Sequence, residues 1–415
     1  MYNMKEDALK IISDSIEAVK PEACVKRALR DFSHEGNIFV LAIGKAAWRM
    51  AYAAQKSLKG KITQGIVITK YQHSAGPIKS FEVYEAGHPI SDENTVLATK
   101  KALEMTEKLT KNDLLLFLVS GGGSALFELP APGVSLTELM AVNNSLIRSG
   151  ADIVEINTVR KHISSVKGGR FAKLISPAKI FSLVLSDVVG DRLDSIASGP
   201  AYPDSSTSQE ASEILKKYRI DLSENALQAV QKETPKVLDN VSSQIIGNVK
   251  LLCESAAKSA KKLGYTPKIL SWSVGCEASQ IADMLCCIAR DSDLSDFSFK
   301  KPYALILGGE PVVNVTGKGL GGRNQELVLR AAIKIKGLEN TVVSSVGSDG
   351  TDGPTDAAGG LADGNSFNEM VNCGIDPAAY LKNNDSYHAL EKSGLLVKTG
   401  PTGTNVNDLI ILLHR

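Results

Sequence analysis

A cation at the start of a helix, preceded by glycines, is a common way to hold a small anion, and the run Gly321-Gly322-Arg323-Asn324-Gln325-Glu326 has that form. An apolar, β-branched stretch (VVNV) stops before it at Thr316 and a helical pattern resumes at Glu326, so the spacing predicts strand, loop, helix. Amide N–H groups left open at a helix start, joined by the donors of Arg323, would seat a phosphate or carboxylate. Two other strand ends carry the same chemistry. After IFVLAI comes Gly44-Lys45, where the positive helix dipole makes an unpaired lysine unfavourable and an anion would relieve it. After LLLFLV comes Ser120-Gly121-Gly122-Gly123-Ser124, a run that lets backbone approach phosphate oxygens and flanks them with hydroxyls. The chain lacks G-x-x-x-x-G-K-[ST], so this is not a P-loop.

Further candidates follow. Arg160, Lys161, Lys167 and Arg170 cluster around Gly168-Gly169, either as a solvated helix face or as phosphate ligands. Asp187 and Asp191 stand four residues apart at a strand end, a seat for Mg²⁺ or a pair of turn caps. Asp349, Asp352 and Asp356 end another strand without the alternation of a calcium loop, and are candidates to meet a metal or nucleotide. Glu310 is in reserve as metal ligand or base; Thr402 and Asn405 offer uncharged donors on a Gly/Pro-shaped loop. His88 and His162 read as structural. Gly317, Gly319 and Gly322 also fit G-x-G-x-x-G, with Glu339 about 20 residues on as a dinucleotide fingerprint requires. That reading would make the chain an NAD(P)-dependent oxidoreductase, but Arg323 intrudes at the helix start.

These loops need a scaffold. The runs IFVLAI, GIVIT, LLLFLV and KIFSLVL are continuously apolar and alternate with helical patterns, which predicts parallel strands buried on both faces. The fold class is therefore α/β. At 415 residues the chain exceeds one core, and the polar stretch around Pro235 predicts domains at 1–235 and 236–415. Gly308-Gly309-Glu310-Pro311 reads as a hairpin turn, which would make the second sheet mixed. A net charge of +1 gives no general attraction to nucleic acid or membrane, so basic chemistry must be local. The six cysteines lack metal spacing and read as reduced. No apolar run approaches the length of a membrane span, and the N-terminus has no signal-peptide form, so a cytoplasmic, soluble protein is expected.

In order along the chain, GKAA at 44, GHP at 87, VSGGGSAL at 119, NTVRKHISSVKGGRFA at 157, LSDVVGDRLDSIASGPAYPD at 185, GGRNQEL at 321, SDGTDGPTDAAGG at 348 and TGPTGTNVNDL at 399 resemble the type II glycerate kinases, whose C-terminal half is the MOFRL domain. The resemblance covers nearly the whole chain. It implies two α/β domains, the first Rossmann-like and the second with a mixed sheet, with the active site in the cleft. It implies transfer of the γ-phosphoryl of ATP to the 2-hydroxyl of D-glycerate with Mg²⁺, giving 2-phosphoglycerate. Lys45 and Arg323 match the family's leading active-site candidates. On this reading Lys45, Arg323 and Asp187 serve the reaction and Asp187 and Asp191 hold Mg²⁺. Ser120 to Ser124, Arg160, Lys167, Gly321, Gly322 and Asn324 bind phosphate or substrate. The partners are D-glycerate and nucleotide, and the assembly a monomer or homodimer. The competing reading, from the glycine fingerprint, is a hydroxypyruvate reductase.

Overall fold

The computed structural model describes residues 3–188, 190, 192–292 and 299–415. Two compact units result: a first from Pro21 to Ile246, and a second that joins Met1–Lys20 to Gly247–Arg415. The strands of the first are β1 (Ile38–Ile43), β2 (Ile62–Lys70), β3 (Phe81–Ala86), β4 (Leu114–Val119), β5 (Lys179–Leu185) and β6 (Val241–Gly247). Those of the second are β7 (Thr266–Val274), β8 (Tyr303–Gly309), β9 (Thr341–Gly347), β10 (Gly359–Asp363), β11 (Leu396–Val397) and β12 (Asp408–His414).

The first sheet runs β3-β2-β1-β4-β5-β6. Its pairs β2·β3, β1·β2, β1·β4 and β4·β5 are parallel, as the apolar runs predict. All six residues of β4 are buried, because both faces are covered. Phe117 from β4 meets Phe127 and Phe171 at ring-centroid distances of 6.2 and 5.3 Å, which anchors the segments after β4 and before β5 to one core. Helices start where polar side chains take the open amides. Asp92 accepts from Thr95 N ahead of the helix Glu93–Thr106, and Asp152 accepts from Val154 N and Glu155 N ahead of Ile153–His162.

The second sheet runs β11-β10-β9-β12-β8-β7. It is mixed, but not through the expected hairpin. After β8 the chain does not turn back as a strand; Val312 makes one isolated parallel bridge to Glu277, and Val315 is exposed. Antiparallel character comes instead from β12, which lies between β8 and β9 and opposes both, while β7 and β8 are parallel.

The domain boundary also moves. Asn240 binds Ala172 O and Ala178 O through Nδ2, and its own carbonyl accepts from Ile180 N, so residues 236–246 complete the first unit rather than open the second. The helix Met4–Val19 belongs to the second unit. Its buried stripe of Ala8, Ile11, Ile12, Ile16 and Val19 accompanies bonds from Ser259 Oγ to Asp14 and from Tyr265 OH to Asp7, both 2.8 Å. An amphipathic helix with no local partner carries no mark of which distant segment will cover it.

Candidate active site

The order of the first sheet reverses between β1 and β4, and open α/β sheets bind ligands beyond the carboxyl ends of such a pair. Two of the singled-out loops emerge there and are tied together. Lys45 N donates to Gly121 O at 2.9 Å, Ala46 N to Ser120 Oγ at 3.1 Å and Ser120 N to Ile43 O at 3.0 Å. Gly44 has φ +109°, and a Cβ there would overlap Ser120, so only glycine lets the loops close up. A Cβ on Gly121 would overlap the Asp187 carboxylate. One on Gly122 would come within 2.9 Å of the His88 ring and 3.2 Å of Lys45 Cγ. The bare backbone of the tri-glycine loop is thus surrounded by the side chains of Lys45, His88 and Asp187. Burial pushes the His88 imidazole down to about 4, and the charges of Lys45, Lys70 and His73 act the same way, so it is neutral at pH 7.

The rest of the loop is held from behind. Ser124 Oγ lies 3.0 Å from Ser198 Oγ, which donates to Asn157 Oδ1 at 3.2 Å, and Arg160 reaches the same oxygen at 3.5 Å. Lys167 does not face a ligand. Its side chain is wholly buried, its ammonium donates to Phe127 O at 3.0 Å, and Glu128 lies 3.6 Å away, so it fixes the segment that follows the loop. Burial pushes its amine down to about 8, against the pull of Glu128. Asp191 lies outside the described residues.

In the second unit the loop that opens the sequence argument is assembled differently from expectation. Asn324 N and Gln325 N, the open amides of the helix Arg323–Lys334, donate to the two oxygens of Asp352 at 3.2 and 2.9 Å. The helix start is therefore capped by a buried carboxylate of the same chain, and it is not open to a phosphate. Asn324 is itself buried between Asp352 and Ser345, and Gly321 and Gly322 pack where a Cβ would overlap Ser386 and Asp352. These three are structural. The G-x-G-x-x-G match fails for the same reason: no strand precedes it, and a Cβ on Gly317 or Gly319 would overlap Asn383 or Asp385. The amides of Thr316, Gly317, Lys318 and Leu320 are taken by the side chains of Asn383, Asn384 and Asp385. Thr402 spends its hydroxyl on Ser348 O, Asn405 accepts from Asn407 N, and Asp349 accepts from Thr351 N in its own turn.

Arg323 remains. Its Nε and Nη2 meet Asp408 at 2.5 and 3.1 Å, and Nη1 meets Glu310 at 3.1 Å. Asp408 opens β12 opposite Gly309 and Gly347, and burial pushes its carboxyl up to about 6 against the pull of Arg323. A guanidinium has five N–H donors. Among the described residues three are used, which leaves two for an anion, aimed by a buried carboxylate.

The comparisons bear on the whole chain. Residues 7–231 match a family described as "Domain of unknown function (DUF4147)", and residues 303–408 match the MOFRL family. A relative from Thermotoga maritima named D-glycerate 2-kinase is 54% identical, over 99% of this chain and 98% of its own. The chain belongs to the MOFRL-containing glycerate kinase family. A crystal structure of glycerate kinase from Thermotoga maritima superposes with a TM-score of 0.97 at 54% identity, covering 99% of both chains. Within the family's reach is also a relative from Agrobacterium vitis, provisionally named a hydroxypyruvate reductase, 37% identical over 97% of this chain and 93% of its own.

The roles of three residues of this family member escaped the sequence argument: Asp352, expected to meet a metal or nucleotide, caps a helix instead, and His88 and Asp408 were given no part in the site. His88 was signalled only by the Gly-His-Pro motif, and its place against Gly122 depends on the fold. Asp352 and Asp408 lie 28 and 85 positions from the residues they hold. His88 has a pH consequence. Its folded-state pKa is depressed from 6.5 to about 4, so the unfolded chain binds more protons between these values. Stability from this group is present above pH 6.5 and lost as pH falls toward 4. Denaturant unfolding across that window should show a shallower pH slope in His88→Gln than in the unmodified chain; equal slopes would refute a buried, neutral imidazole.

Proposed function

We propose that this chain is a glycerate 2-kinase, transferring the γ-phosphoryl of ATP to the 2-hydroxyl of D-glycerate. The observation that carries the reading is the tri-glycine loop at the β1/β4 reversal, with Lys45, His88 and Asp187 around it. Phosphoryl transfer asks for positioning and charge neutralisation more than covalent chemistry, and this loop offers both. Lys45 neutralises charge on the phosphoryl oxygens, and the amides of Gly121 and Gly122 line the phosphate seat; the expected Ser120 and Ser124 hydroxyls do not, because the buried Ser120 hydroxyl donates to Ile43 O and Ser124 Oγ is bonded to Ser198. Arg323 uses its two remaining donors on a carboxylate or phosphate. His88, neutral at pH 7, accepts a hydrogen bond from a substrate hydroxyl.

Among the described residues no group of three His, Cys, Asp or Glu side chains is placed to hold a metal. Mg²⁺ does not require one, since it takes one or two carboxylates and fills its remaining positions with water and phosphate oxygens. Asp187, pressed against the glycine loop, suits that role; Asp191, the second carboxylate expected from the sequence, lies outside the described residues. Bound there, Mg²⁺ would neutralise charge on the phosphate oxygens. ATP as donor, Mg²⁺ as metal, the cytosol as location and a monomer or homodimer as assembly all belong to this proposal. No helix among the described residues is long and apolar enough to cross a membrane.

The test is a coupled assay with MgATP and D-glycerate that identifies the phosphoglycerate isomer, run beside NADH with hydroxypyruvate. 2-Phosphoglycerate without NADH oxidation is the expected result, and the converse would sink the reading. Asp187→Asn should raise the Mg²⁺ needed for half-maximal rate far more than it shifts the unfolding midpoint; lost stability with unchanged Mg²⁺ dependence would make Asp187 a turn cap. Arg323→Lys keeps the charge but cannot serve Asp408 bidentately and an anion as well. It should lose roughly tenfold or more in kcat/KM, if the paired contact is worth about 1.5 to 3 kcal/mol. Wild-type kcat/KM in Arg323→Lys would mean that only the local positive field matters.

A further inference from the structure

A cavity of about 680 Å³ lies in the first unit, and its wall shares no residue with the tri-glycine loop, Lys45, His88 or Asp187. Its volume is in the range of small-molecule sites, roughly 300 to 1,000 Å³. The wall carries the cations Arg170, Lys173, Lys232 and Lys236 against one carboxylate, Glu233. Glu233 is already committed. It accepts from Ser208 N and Oγ at 2.9 and 2.8 Å and pairs with Lys236 at 3.0 Å. Arg170, Lys173 and Lys232 make no ion pair among the described residues, so the cavity has an unbalanced positive charge.

Two buried nitrogens of the same wall have no hydrogen-bond partner among the described residues: His162 Nε2 and Arg170 Nε. His162 Nδ1 lies 2.9 Å from Thr158 O, an acceptor, so Nδ1 carries the proton. The ring is fully buried and neutral, which leaves Nε2 as a lone pair in want of a donor. An Arg Nε–H in want of an acceptor and a His nitrogen in want of a donor are each costly when buried, and this wall has both. Beside them Leu174 and Val237 are 60% and 69% exposed, apolar side chains that a ligand's body would cover.

We propose that this cavity is a second binding site for a phosphorylated small molecule, separate from the Lys45 loop. Its phosphate faces Arg170, Lys173 and Lys232, and its body brings a hydroxyl or amine to His162 and covers Leu174 and Val237. A nucleoside diphosphate and a phosphorylated hydroxy acid share this chemistry. The reaction proposed above supplies one of each.

Equilibrium dialysis of labelled ADP and, separately, labelled 2-phosphoglycerate against the full chain distinguishes the two. The expected result is two equivalents bound per chain for one of these probes. K173S/K232S changes only exposed lysines outside the reaction centre, and should weaken the second equivalent about tenfold or more while kcat stays within about twofold. One equivalent or fewer for both probes on the unmodified chain overturns the proposal, as does a K173S/K232S chain that keeps both equivalents. A K173S/K232S chain that loses kcat also overturns it, because the cavity would then belong to the reaction centre. The glycerate kinase reading stands or falls on turnover of the unmodified chain, which this stoichiometry does not touch.

Discussion

Lys45→Ala should lower kcat for glycerate phosphorylation by about 10² or more, the usual cost of removing one group that neutralises transition-state charge, while leaving the fold in place. The fold is spared because it uses the backbone of this residue. Lys45 N donates to Gly121 O, and Lys45 O accepts from Thr69 Oγ1 at 3.4 Å and lies 3.1 Å from His73 Nδ1. None of these is lost with the side chain. Steady-state kinetics at saturating MgATP, beside a denaturant unfolding curve, checks both halves. A kcat near that of the unmodified enzyme would return Lys45 to a solvated turn residue.

Asp352→Ala should act on stability instead, by roughly 3 kcal/mol or more, since each buried donor left unsatisfied costs about 1 to 3 kcal/mol. Asp352 is 3% exposed and takes the amides of Asn324 and Gln325 together with both of their side-chain amides. Burial raises its pKa against those four bonds, so the carboxylate is kept for its acceptors and not for its solvation. Without it the helix Arg323–Lys334 starts uncapped in the interior, and the guanidinium at its first position loses its register. The unfolding free energy from denaturant titration measures this. An Asp352→Ala chain as stable as the unmodified one would mean that water replaces the carboxylate freely.

The central strands were legible because burial on both faces leaves a plain mark. IFVLAI and LLLFLV became β1 and β4, with the loops that follow them at the reversal of the sheet. Legibility failed where a residue's reason lies far along the chain. Gly317, Gly319 and Gly322 looked like room for a ligand's phosphates. They are room for Asn383, Asp385 and Asp352, and no local pattern separates the two uses. The hairpin at Gly308-Gly309 was inferred from turn composition. The strand that β8 pairs with there is β12, about a hundred residues on, and turn composition is silent about that. The edge strand β3 fared worst. It is only partly covered, so it lacks the apolar density that marked the centre.

The second unit takes its first helix, Met4–Val19, from one end of the chain and all its strands from the other, with the entire first unit inserted between. Synthesis runs from the N-terminus onward, so this helix is made before the first unit and covered only after it. The residues from Pro21 to Ile246 can fold as a continuous piece as soon as they leave the ribosome, while the stripe of Ile11, Ile12 and Ile16 waits uncovered for Val249–Lys262 to arrive. Folding the intervening unit first draws its two ends into fixed positions and shortens the loop that the late docking step must close, which lowers its entropic cost. Order of emergence, and not only final contacts, thus favours a first unit that folds without help and a second that cannot be finished until the residues after Gly247 have also emerged.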